Sequence, residues 1–63
     1  MRKLLHQFQL NGRMAKVFYH TEFGFEVDLF DDTGFLETRK VHDHSESYAE
    51  DVAENFVQGI YSV

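Results

Sequence analysis

The chain has no cysteine, no proline and no tryptophan, and only four glycines in 63 residues. Without cysteine there are no disulfide staples, no thiolate metal sites and no thiol nucleophile. Without proline there is no polyproline segment and no proline-fixed turn. No apolar run approaches the ~20 residues of a membrane span. The opening Met1-Arg2-Lys3-Leu4-Leu5 turns polar at His6-Gln7 before a secretory apolar region develops. A cytoplasmic protein without a membrane segment is therefore expected. Basic side chains are missing from the last third: residues 41–63 contain Asp43, Glu46, Glu50, Asp51 and Glu54 but no Lys or Arg. Residues 1–40 are balanced, so the net charge of −5 comes from that last segment. Such a segment disfavours a phosphate backbone as partner.

Aromatic residues are what the chain has in excess, with seven Phe and three Tyr. A single domain over residues 1–63 is expected, and a domain of this size buries only ~60% of its unfolded surface. Below about 70–80 residues one core rarely supplies more than ~3–5 kcal/mol. With disulfides excluded, oligomerisation is the leading remedy.

Lys3 to Leu10 alternates apolar and polar, and Arg13 to His20 does so again. Asn11-Gly12 between them tolerates the positive φ of a type I′ turn and predicts a hairpin. A two-residue loop pairs Leu10 with Arg13, Phe8 with Ala15, His6 with Val17 and Leu4 with Tyr19. The opposite face collects Leu5, Gln7, Gln9, Met14, Lys16 and Phe18. Phe25 to Phe30 and Phe35 to Val41 form a second hairpin about Asp31-Asp32-Thr33-Gly34. Its register is open: a four-residue loop pairs Phe30 with Phe35 and Glu26 with Arg39, and a three-residue loop with a bulge pairs Asp31 with Phe35 and Glu26 with Lys40. Either predicts a cross-strand ion pair on the solvent side.

Ala49, Val52, Ala53, Phe56, Val57 and Ile60 recur with helical spacing and predict an amphipathic helix. Ser47 with Glu50 makes a capping-box pattern, Ser45 is an alternative cap, and Gly59 suits the position after the helix. The expected fold is α+β: a four-stranded antiparallel sheet of two hairpins (ββββα) with one C-terminal amphipathic helix packed on one face. The helix is expected over Leu4, Phe8, Val17, Tyr19, Phe25, Val27 and Leu29. The other face keeps Leu5, Met14, Phe18 and Phe30.

No catalytic residue, metal site or cofactor is predicted. His42-Asp43-His44 could present two imidazoles and a carboxylate, but reads as a polar loop before the helix. His6 reads as a satisfied, half-buried histidine. Asp31-Asp32 is explained by turn chemistry and lacks the downstream Glu of a calcium loop. Glu46, Glu50 and Glu54, with Asp51 beside them, form an acidic helix stripe.

The stretch Tyr48-Ala49-Glu50-Asp51-Val52-Ala53-Glu54-Asn55-Phe56-Val57-Gln58-Gly59-Ile60 resembles the ends of short acidic proteins of tailed phages of marine cyanobacteria. The resemblance covers about a fifth of the chain, implies a small accessory protein acting in the host cytoplasm, and transfers no functional residue. The leading expectation is a non-enzymatic protein-binding or regulatory module that forms a homodimer through Leu5, Met14, Phe18 and Phe30. Glu46, Glu50, Asp51 and Glu54 would steer a basic host protein. One alternative is a single-stranded nucleic-acid regulator using Lys16, Arg13 and Phe18 on the sheet. Another is an acidic nucleic-acid mimic that inhibits a host DNA-binding protein.

Overall fold

The computed structural model describes residues 1–60. Strands β1 (Arg2–Leu10), β2 (Arg13–His20), β3 (Gly24–Asp31) and β4 (Gly34–Lys40) form one antiparallel meander in the order β1-β2-β3-β4, followed by helix α1 (Glu46–Val57). The first hairpin forms as its turn chemistry dictates: Asn11 and Gly12 both take positive φ, and Leu10 pairs with Arg13.

Each edge strand departs from regular pairing once. In β1 the register shifts between Leu4 and His6, so Leu5 is an extra residue and Leu4 stands opposite Phe18 rather than Tyr19. In the second hairpin Phe30 pairs with Phe35, yet Glu26 pairs with Lys40, because Leu36 is extra. The two expected registers are thus each realised at one end of the hairpin, joined by a bulge. Because side chains alternate strictly, each bulge moves every residue beyond it to the other side of the sheet.

The helix packs on the face bearing Ala15, Val17, Val27 and Leu29, all fully buried, and contributes Ala49, Ala53, Phe56 and Val57 to the core. Phe8, Phe25 and Val52 flank it. Three members of the expected core fall outside. Leu4 is carried to the other face by the Leu5 bulge and is exposed. Tyr19 lies at the sheet margin against Phe25, their centroids 5.1 Å apart, and Ile60 lies beyond the helix end and is exposed. Val41, expected only as a strand end, is buried.

Ser45 caps the helix, its hydroxyl accepting from the Tyr48 backbone N–H at 3.2 Å. The Ser47 cap is not used. At the other end Gly59 N–H donates to Phe56 O and Ile60 N–H to Asn55 O, the paired bonds of a Schellman motif. The helix lies over β1, β2 and β3; no Cα of it comes within 8 Å of a β4 Cα. The gap is a groove of about 380 Å³ lined by Arg39, Lys40, His44, Tyr48 and Asn55 among others.

Candidate functional site

On the sheet face away from the helix, the central strand β3 carries two carboxylates, Glu26 and Asp28. Both are buried, although no second layer among the described residues covers this face. Side chains of the sheet and the following turn enclose them, Arg2 foremost. The Arg2 guanidinium forks onto Asp28, Nη1 to Oδ1 at 2.9 Å and Nη2 to Oδ2 at 3.0 Å, and reaches Glu26 Oε1 at 3.4 Å. Its flat face lies 3.9 Å from the centre of the Phe18 ring. Thr38 Oγ1 donates to Asp28 Oδ1 at 2.7 Å, and His42 Nε2 lies 2.9 Å from Glu26 Oε2. His42 in turn stacks on Phe23, which also meets His20.

Both bulges build this cluster. Regular alternation through Leu5 would leave Arg2 on the helix side, two strands from its carboxylates but across the sheet. Regular alternation through Leu36 would turn Thr38 away from Asp28. The bulges deliver both side chains to the open face. Burial by itself raises the Glu26 carboxyl, but the hydrogen bonds from His42 and Arg2 and the Arg2 charge outweigh it and hold the group below the ordinary glutamate range. The arrangement sets two carboxylates against one guanidinium, one hydroxyl and one imidazole.

Around the patch lie the apolar residues. Met14, Phe30 and Phe35 stand in one cross-strand row, with Phe30 and Phe35 edge to face at 5.6 Å. Lys16 Nζ sits 5.3 Å from the Phe30 ring centre. Of the four residues expected at an interface, Met14, Phe18 and Phe30 share this face. Leu5 is the half-buried bulge residue, with Leu4 instead beside Phe18. Phe18 and Phe30 are not bare rings, since each is topped by a cation.

No protein-family model, curated protein or solved structure matches the chain.

The basic residues considered for nucleic-acid contact separate. Lys16 and Phe18 stay on the open face, whereas Arg13 turns to the helix side, where Nη1 donates to Phe56 O at 3.0 Å and the guanidinium lies 4.9 Å from the Phe56 ring centre. The acidic helix stripe also divides. Glu46 and Glu50 converge on His6, with Nε2 2.7 Å from Glu46 Oε2 and 3.4 Å from Glu50 Oε2, while Asp51 and Glu54 are exposed. His42 and His44 do not converge. The chain turns between them, His42 going to Glu26 and His44 stacking on Tyr48 at 3.9 Å.

The Arg2–Asp28–Glu26 patch was not anticipated. Its trace in the sequence is the Glu26-x-Asp28 pair inside an otherwise apolar strand, which reads as ordinary outward alternation unless the strand is known to be central.

Proposed function

We propose that the protein is a non-enzymatic binding module that pairs with a second copy of itself through its open sheet face. The observation that carries this reading is the face itself: Leu4, Met14, Phe18, Phe30 and Phe35 surround an ion-paired patch that no element among the described residues covers. Contiguous apolar surface of this kind marks interaction sites. Both edges of the sheet carry a bulge, the device that discourages strand addition, so the face is the surface left for association. A two-fold interface must be self-complementary. This face mixes cations (Arg2, Lys16, Lys40) with the acids Glu26 and Asp28, and so suits a copy of itself better than a partner of one charge sign. Asp51 and Glu54 lie on the helix, away from the paired faces, and can dock a basic host protein, in keeping with the resemblance of the helix to small phage proteins.

Sedimentation velocity across the micromolar to millimolar range tests the pairing. The expected result is a concentration-dependent dimer for the natural sequence and a monomer for Phe35→Glu, a residue 58% exposed and outside the core. A natural chain that stays monomeric throughout overturns the reading. Retention on single-stranded oligonucleotides at low salt would favour the nucleic-acid alternative instead.

A further inference from the structure

On the helix side of the molecule, three side chains from two elements meet at one point. We propose that His6, Glu46 and Glu50 form a binding site for a first-row divalent transition metal, with Zn²⁺ as the ion of best fit. Their donor atoms all lie within 4.8 Å of one another. An imidazole and two carboxylates are the nitrogen and oxygen donors that hold Zn²⁺ at ~2.0–2.2 Å, which makes the donor-to-donor edges of a tetrahedral site about 3.3–3.6 Å. The His6 Nε2 to Glu50 Oε2 separation of 3.4 Å already has that length. The shorter 2.7 Å approach to Glu46 is a direct hydrogen bond, with the ring hydrogen on Nε2 if Glu46 is ionised. An ion would take the place of that hydrogen, the neutral imidazole then carrying its one ring proton on Nδ1.

The electrostatics favour a cation at this point. Glu46 and Glu50 stand at i and i+4 on α1, a spacing at which like charges repel. The chain from residue 41 onward contains no Lys or Arg to offset them. The helix cannot swing away, because Ala49, Ala53 and Phe56 fix it to the sheet. The His6 backbone is set in β1 by its pairing with Val17 of β2. The two carboxylates are therefore held against a residue with no permanent charge, on rigid supports, which is the preorganisation a metal site needs. Three protein ligands leave a position for water or another donor. Such an ion would tie the start of the helix to β1, a staple of the kind small domains without disulfides use. The all-oxygen, higher-coordination preference of Ca²⁺ fits the imidazole poorly.

The test is calorimetric titration of the full chain with ZnCl₂, paralleled by the visible absorption of the Co²⁺ form. The expected result is saturable one-to-one uptake. His6→Ala and Glu50→Gln should each weaken it by at least about tenfold, since even outer-shell partners of a metal site are worth about 10–100-fold. The double variant His42→Ala with His44→Ala is expected to bind as the natural chain does. Absence of saturable uptake overturns the proposal. So does uptake that survives Glu50→Gln, or uptake abolished in the His42/His44 variant. Glu50 is half-exposed and outside the core, so its substitution reads the site even if His6→Ala disturbs the fold.

Discussion

Glu26 and Asp28 keep only 9% of their side-chain surface exposed and depend on Arg2 for it, so a single residue near the start of the chain controls the open face. Asp28→Ala removes the forked pair and the Thr38 bond together. A hydrogen bond to a charged group contributes about 1.5–3 kcal/mol, and Arg2 is still partly solvated, so a loss of about 1–3 kcal/mol is expected in urea unfolding. The Glu26 carboxyl is held below its usual 4.5 in the fold. A lowered carboxyl stabilises the folded state above the unfolded-state value, and that contribution is lost as pH falls through the folded one. The urea midpoint should therefore drop as pH falls below about 4.5. Glu26→Gln should make the decline shallower without abolishing it, because Asp31, held low by the Thr33 hydroxyl and backbone N–H, acts with the same sign. Little of this was legible in the sequence. Glu26 was expected on the solvent side paired with Arg39 or Lys40, and nothing local marks Arg2 as its cover. The two are 24 residues apart and meet only because two strands intervene at the right register.

At the scale of elements, local signals located every strand and the helix. Alternation, Asn11-Gly12, Asp31-Asp32-Thr33-Gly34 and the apolar spacing from Ala49 to Val57 each carry their own physical cause. The choice of cap was a closer competition. Ser45 prevails over Ser47 because the helix begins at Glu46, one residue after it. Ser45→Ala should cost about 1 kcal/mol of stability, read by thermal or urea unfolding, while Ser47→Ala should be close to neutral. Gly24 has a different role. It opens β3 at φ +110°, and a Cβ there would sit 2.7 Å from the His42 backbone carbonyl oxygen. Gly24→Ala combines backbone strain with a clash against main chain, and a loss of at least about 2 kcal/mol is expected by the same measurement. A bulge in the second hairpin was one of the two readings of its register, but its place at Leu36, and the bulge at Leu5, were not legible because an extra residue breaks no composition rule. Leu5 and Leu36 are ordinary strand residues, and the register shifts follow from how their partners fit across the sheet.

For the whole molecule, the helix packs over three strands on one face, and among the described residues no element lies on the other. If the open face pairs with a second copy, folding and association are linked, and the melting temperature should rise with protein concentration. Phe35→Glu should remove that dependence, and the lost edge-to-face contact with Phe30 should lower the melting temperature of the dilute protein only modestly, by the equivalent of about 0.5–1.5 kcal/mol. A melting temperature independent of concentration in the natural chain would speak against the pairing.

The sequence by itself determined the α+β class, the order of elements, the turn positions and the face the helix covers. Those follow from interactions among residues close along the chain: side-chain period, turn dihedrals and capping. The tertiary structure alone decided which side of the sheet Arg2, Leu4 and Thr38 occupy, how Glu26 and Asp28 are neutralised, and that His6 meets Glu46 and Glu50. Each of these depends on a register between segments distant in sequence. A slip of one residue in that register exchanges the two faces of a strand.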